Sequence, residues 1–595
     1  MISSKYINRI TIVLISVALV LCVLTMGFSD TPLSPVGNTG YAMEYETALF
    51  DTNEILEIDI LMENGKWDEM LENATNEIYY ECDVVINGQT FKRVGIRPKG
   101  NTSLSSIARD ADNNRYSFKL EFDQFVDGQT CFGLDKLILN NSYADTTNMK
   151  EAIIYDMYQF LDTDASLYNY AKISVNNEYW GVYLALEAVE DSFMLRNYGM
   201  EKGYLYKPDS MNHNDNNDDK NKDGGGFGGS MPAPPEGFQM PHGADMPMPD
   251  FNAEQGRQSI QNFEGNTENT DKANATNGET KTSLTPPQSN ADNKLSRGGA
   301  MPGGGGRAGR GGGPGSMGGG GNLNYADDNL DSYQTIWDGQ VNDSSKTEHK
   351  RVVEALKNIH GGTNIEKYID VDQVLKYMAV HNFSVNDDSL SGAMAHNYYL
   401  YEANGQISII PWDYNLAFGG MHGGDGTSVV NEPIDASWQS TQLFDFVLEN
   451  EEYKVRYHEY YSKLVNEYLY GGKFEELYNK VRTQIDKLVE TDPNSMYTYE
   501  EYIKGAETLY ELVMLRAESL KGQLEGTIPS TSEGQKSDPS TLIDASSINI
   551  SDLGTFMGGG GPGVNRGDFP DKNERQKAEN SQASVTEQPS EKTTQ

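Results

Sequence analysis

Between residues 209 and 324 the chain has no Val, Trp or Tyr, and its only Ile or Leu are Ile260, Leu284, Leu295 and Leu323. The stretch runs instead through MPAPPEGFQMPHGADMPMPD and GGAMPGGGGRAGRGGGPGSMGGGG. Ordering a backbone costs about 1–2 kcal/mol per residue, which so few apolar side chains cannot offset. Residues 209–324 are therefore predicted to be a disordered insertion. That leaves two pieces able to build a core, residues 45–208 and 325–526. The Ser/Thr/Gln/Lys-rich end, residues 527–595, is expected to be a disordered tail.

Charge narrows the function classes. The 595 residues carry a formal net charge of -41. A general nucleic-acid binder draws its affinity from Lys and Arg on phosphates, so nucleic acid is not an expected partner. Lys5 and Arg9 precede an uncharged apolar run, residues 10–28. That is long enough to cross about 30 Å of hydrocarbon. Residues 1–30 read as a signal peptide or an uncleaved membrane anchor, either of which places the bulk of the chain outside the membrane, secreted or anchored. Cys22, Cys82 and Cys131 form no CxxC pair. The His residues form no HExxH, and no G-x-S-x-G elbow follows a strand, which argues against zinc and serine hydrolases.

Two motifs inside the insertion resolve to bland readings. Asp219, Asn221, Asp223 and Gly224 match the early positions of a calcium loop, but Ser230 stands where the closing Glu belongs. The glycine clusters lack the preceding strand that a phosphate loop needs.

The first piece alternates like a sheet. Strands are predicted at 55–60, 81–86, 90–94, 116–122 and 135–139, then a hairpin at 172–175 and 181–186. Asn87-Gly88 and Asn176-Asn177 supply the turns. A helix is predicted over 147–161, apolar at Ile153, Ile154, Met157, Tyr158 and Leu161. The second piece reads as helices at 346–359, 371–382, 452–469, 473–490 and 500–524. One hairpin, 397–402 and 406–410, turns on Asn404-Gly405 and ends at Pro411-Trp412-Asp413. The fold class is α+β, with a β-rich first half and a mostly helical second half.

Candidate chemistry gathers around that hairpin. Asn386, Asp387 and Asp388 follow a helix, and His396 and Asn397 enter the hairpin. Carboxylates and an amide at loop ends suit magnesium, although each residue alone reads equally as a solvated loop residue. Asp413 follows an apolar strand, where an ionised carboxylate is costly without a partner, either a bound cation or a nearby Lys or Arg. Arg97 and Lys99 sit in a glycine-punctuated stretch that could grip phosphate or make a tight turn. Lys119 in mid-strand and Glu151 on the next helix have the logic of a strand Lys held by a helix Glu at a nucleotide.

The strings VGIRPKGNTS (94–103), YSFKLEF (116–122), LNNSYAD (139–145), YWGVY (179–183) with Glu187, GYLYK (203–207), HNYYLY (396–401) and IPWDYN (410–415) occur in this order. Together they resemble the spore coat protein H (CotH) kinase family. The resemblance covers nearly all of both pieces and skips the insertion. It implies a two-lobed, atypical secretory-type protein-kinase-like fold with a β-rich N-lobe and a helical C-lobe. It also implies transfer of the ATP γ-phosphoryl group to Ser or Thr of a coat or surface protein, with Mg or Mn. By position, Asp413 would bind metal, with Asn397 a second ligand. Asp388, or else Asp387, would accept the hydroxyl proton. Arg97, Lys99 and Lys119 would contact phosphates, and Glu151 would orient Lys119. The sequence departs from relatives at Pro98-Lys99, where a second Arg is frequent, and at Asn415, where many carry Asp. The loop GGMHGGDG (419–426) occupies the place of a kinase activation loop, or is a plain flexible loop.

An exported domain meets little ATP. The alternative expectation is a non-catalytic envelope or coat scaffold that keeps the fold, with a surface adhesin as a weaker third.

Overall fold

A computed structural model describes residues 40–63, 65–110, 113–199, 203–208, 321–421, 423–438 and 440–556. The apolar segment of residues 1–30, the calcium-loop-like run and nearly all of the insertion lie outside these residues. Among the described residues, no helix is long and apolar enough to cross a membrane.

Ten strands and eight helices of at least eight residues organise the described chain. The strands are β1 Leu56–Leu61, β2 Tyr80–Ile86, β3 Gln89–Lys99, β4 Ser117–Glu121, β5 Lys136–Asn140, β6 Tyr168–Val175, β7 Glu178–Glu187, β8 Tyr204–Tyr206, β9 Tyr398–Ala403 and β10 Gln406–Pro411. The helices are α1 Thr102–Arg109, α2 Lys150–Phe160, α3 Asp191–Tyr198, α4 Lys346–His360, α5 Val371–Ser384, α6 Glu451–Lys463, α7 Lys473–Glu490 and α8 Tyr499–Glu525.

The expected alternation holds because turn chemistry and pattern agree. Asn87 and Gly88 take positive φ of 48° and 82°, as do Asn404 and Gly405 at 55° and 89°. Such turns match the twist of the strands they join. Strands β1 to β7 close a barrel in the order β1-β2-β3-β4-β5-β7-β6, with β1 and β6 paired parallel at the seam. Phe118, Leu120, Ile96, Leu137 and Leu139 point into it. The opposite face of β3 and β4 carries Arg97, Lys99 and Lys119, with Arg97 directly across from Lys119.

Helix α2 lies on the outside of this barrel. Its Ile153, Ile154 and Met157 share a core with Ile138, Leu184 and Leu186 of the strands and with Val374, Tyr377 and Met378 of α5. The helical half is well capped. Ser345 and Thr498 form capping boxes with Glu348 and Glu501, and α8 stops at Gly526 with φ 75°. The helix expected over 452–469 is α-helical only to Lys463 and continues as a π-helical segment, Leu464–Leu469.

Two further differences from expectation stand out. Strand β8, before the insertion, pairs with β9, after it, so the two pieces share a three-stranded sheet, β10-β9-β8. Three residues were too few for the alternation pattern to register. Part of what composition assigned to disorder is also built into the fold. Leu323 is buried, and Asn324 bonds to Ser440 and Gln442. Residues 527–556 are described, with Ile528, Ala545, Ile548, Ile550 and Leu553 buried. The mean composition of the tail hides these few apolar residues, which pack on a surface that helps to order them.

Candidate functional site

The β9–β10 hairpin delivers Asp413 to its position. Strand β10 ends at Pro411, Trp412 is buried beside Tyr399, and Asp413 adopts φ 62°. Asp tolerates the left-handed region better than most side chains, because its short carboxylate can bond locally. Here the backbone is held instead. The Asp413 N–H donates to the Tyr155 hydroxyl (3.4 Å), and its carbonyl accepts from Asn386 Nδ2 (3.2 Å). The half-buried carboxylate accepts no hydrogen bond and joins no ion pair within 4 Å among the described residues. Burial raises its pKa; Lys99 opposes that rise, Asp388 adds to it, and Lys207 and His396 oppose it further.

The strand-rich half supplies the opposing charges. Lys99, the last residue of β3, donates from Nζ to Asn140 Oδ1 (3.2 Å). Asn140 Nδ2 donates to Glu151 Oε2 (2.9 Å), and Glu151 Oε1 accepts from the Tyr414 N–H (3.3 Å). A single asparagine thus joins the lysine and the glutamate, and the glutamate grips the residue after Asp413. Lys99 lies over the Trp412 ring at 5.6 Å, and Lys207 over the same ring at 5.4 Å and over Tyr399 at 5.5 Å. Burial pushes Lys99 down to about 8 against the pull of Asp413. Burial, then Asp413, pushes Glu151 up to about 7.

Asp388 forms the third part. His396 Nε2 lies 2.6 Å from Asp388 Oδ1. Asn397 Nδ2 donates to the Asp388 carbonyl (2.8 Å) and to Oδ2 (3.1 Å). Asn386 Oδ1 accepts from the Asp388 N–H (3.2 Å), so one buried amide clamps the backbones of Asp388 and Asp413 together. Of the two neighbouring aspartates, Asp388 acts on the Asp413 carboxyl, whereas Asp387 is exposed and lies near Glu432.

Asp413, Lys99, Glu151 and Asp388 are thus brought together, with Asn397 attached to Asp388. Arg97 and Lys119 stand apart. Arg97 is ion-paired with Glu77 and lies 5.3 Å from the Tyr79 ring centre. Lys119 donates to Glu190 at 2.7 Å, and Lys136 pairs with the same carboxylate. The expected Lys119–Glu151 pair does not form, because Glu190, just beyond β7, takes Lys119 while Glu151 turns to Asn140. Sequence reasoning passed over Lys207, Asn140 and Trp412 as site residues. All three stood inside strings already singled out, GYLYK, LNNSYAD and IPWDYN, but aromatic neighbours and an amide carry no chemical signature alone. Asn415 binds the Tyr143 carbonyl at 2.8 Å, tying the post-Asp413 turn to the strand-rich half.

Among the described residues, no group of three or more His, Cys, Asp or Glu is arranged to hold a metal ion. An all-protein cage does not fit. A hard ion held by one unengaged carboxylate plus ligand oxygens and waters does, which is the habit of magnesium at phosphates.

The profile of the family described as CotH kinase protein matches residues 96–229 and 320–520, more than half of the chain and every residue of this site. Inner spore coat protein H of Bacillus subtilis (strain 168) is 26% identical over 174 residues, covering 27% of this chain and 43% of that protein. The alignment therefore spans less than half of that relative. With its site residues inside the matched segments, the chain belongs to the CotH kinase family.

Proposed function

We propose that this protein is a metal-dependent protein kinase that transfers the ATP γ-phosphoryl group to a Ser or Thr hydroxyl of a coat or surface protein. One observation carries the reading. Asp413 is a half-buried carboxylate without a hydrogen-bond partner among the described residues, set among Lys99, Lys207 and Asp388. Strongly perturbed, incompletely compensated charges in one place mark functional sites more often than structural ones.

Phosphoryl transfer asks a protein for positioning and charge neutralisation. ATP with Mg or Mn, when bound, supplies the phosphoryl group and the charge that neutralises it. Asp413 would hold the ion. Lys99, fixed through Asn140 and Glu151, and Lys207, fixed over Trp412, would present positive charge to the phosphate oxygens. Asp388 has its orientation set by His396 and Asn397, and would take the proton from the attacking hydroxyl. Arg97 and Lys119 support the strands from their ion pairs in this scheme.

A non-catalytic scaffold is the competing reading, and those two saturated cations favour it. Incubation of the full chain with labelled ATP and Mg or Mn, beside Asp413→Asn, separates the two. The kinase reading expects metal-dependent labelling that the variant lacks. Equal labelling by both proteins, or none by either with no ATP binding in calorimetry, overturns it.

A further inference from the structure

Lys150 opens α2 directly before Glu151 and is fully buried. Its ammonium donates to three backbone carbonyls, Ala144 (3.3 Å), Asn415 (3.2 Å) and Gly554 (3.1 Å). An ammonium has three donors, and all three are spent. The acceptors come from three separate stretches. Ala144 precedes α2, Asn415 lies two residues beyond Asp413, and Gly554 belongs to the segment after α8. A buried charge is costly unless its hydrogen bonds are met, so each stretch is held where its carbonyl is needed.

The segment around Gly554 binds the same neighbourhood along its length. The Gly426 N–H donates to Ile548 (2.8 Å), Ile550 to Gly424 (2.9 Å), Phe556 to Gly420 (2.8 Å) and Thr146 to Leu553 (3.1 Å). Phe556 packs on Leu416 and Met421. Gly554 has φ 79°, and a Cβ there would come within 2.7 Å of the Ala144 carbonyl oxygen and 2.8 Å of the Thr146 nitrogen. The family match stops at residue 520, so this segment lies outside it.

We propose that Lys150 is a positioning residue of the site and that residues 548–556 are a strap completing its anchor. Together they pin the turn after Asp413 to the start of α2, and so set the placement of Asp413 against Glu151 and Lys99. Only the activity arm of the test rests on the kinase reading.

Hydrogen exchange on the full-length chain is the first measurement. The amides of Thr146, Gly426, Ile550 and Phe556 should open as one unit, with protection factors within about tenfold of one another. Gly554→Ala and Lys150→Met should each lower that protection at least about tenfold and leave the β3 and β6 amides unchanged. In labelling assays both variants should lose at least about tenfold in kcat, with KM for ATP within about threefold of wild type. Four amides that open independently in the wild type overturn the strap, whether or not either variant folds. A loosened strap with wild-type kcat overturns the positioning role. A wild-type chain that transfers no phosphate refutes the kinase reading, and the exchange pattern still decides the strap.

Discussion

Two groups of charges stand on the same outer face of the barrel, and they are treated in opposite ways. Arg97, Lys119 and Lys136 each meet a carboxylate, Glu77 or Glu190, at close range. Lys99 meets an asparagine instead, although Asp413 and Glu151 are near enough to perturb it. The first group resembles a finished structural network, in which breaking a pair costs stability. The second keeps a carboxylate and an amine close without joining them, which leaves both able to engage something that arrives from outside. Three neighbouring strands can therefore carry structural and candidate functional cations a few residues apart.

The comparison breaks first at Asp413. Asp413→Asn removes a carboxylate that no hydrogen bond or ion pair uses among the described residues, so thermal stability should hold or rise slightly. Transfer should fall by at least about 100-fold, the scale of losing a main electrostatic contact to a developing charge. A large loss of stability would show that Asp413 belongs with the structural pairs. Lys99→Met comes next, with transfer down by about tenfold or more and unfolding little changed, as followed by labelling rate and urea denaturation.

Lys119→Met is the converse. It strips one of two partners from half-buried Glu190 and should cost about 3 kcal/mol in urea unfolding. Labelling by the folded protein should stay within a few-fold of wild type. Lost labelling at unchanged stability would move Lys119 into the site.

The smallest effect is a pH dependence. Burial alone would raise the Glu190 carboxyl, but Lys119 and Lys136 outweigh burial and hold it down at about 2. A depressed carboxyl contributes its full stability above its unfolded pKa, about 4.3, and loses it as pH falls from there through the folded value. The stability gap between wild type and Glu190→Gln should be constant above about pH 5 and close towards pH 2. A gap that persists at pH 2 would show that ionisation of Glu190 does not drive the pairing.

Much of the architecture is legible in the sequence. Asn-Gly pairs marked two hairpins, and α7 runs from Lys473 to Glu490 as its periodicity predicts. Asp413 stood out because a carboxylate after an apolar strand demands an explanation. Partner choice was not legible. Lys119 and Glu151 have the right types on the right elements, yet the strand register gives Lys119 to Glu190 and Asn140 to Glu151. Nor was the strap, because a handful of apolar residues among Ser, Thr and Gln is indistinguishable from a tail until a receiving surface exists.

The sequence by itself determined most of the strands, the longer helices and their turns, because alternation, helical periodicity and left-handed turn residues act over a few neighbours. Tertiary structure alone decided which charges are satisfied and which are left open. It also decided that β8 crosses the insertion to pair with β9 and that Lys150 ties three distant carbonyls together. Such contacts depend on register and on the approach of segments up to hundreds of residues apart, which no local pattern encodes.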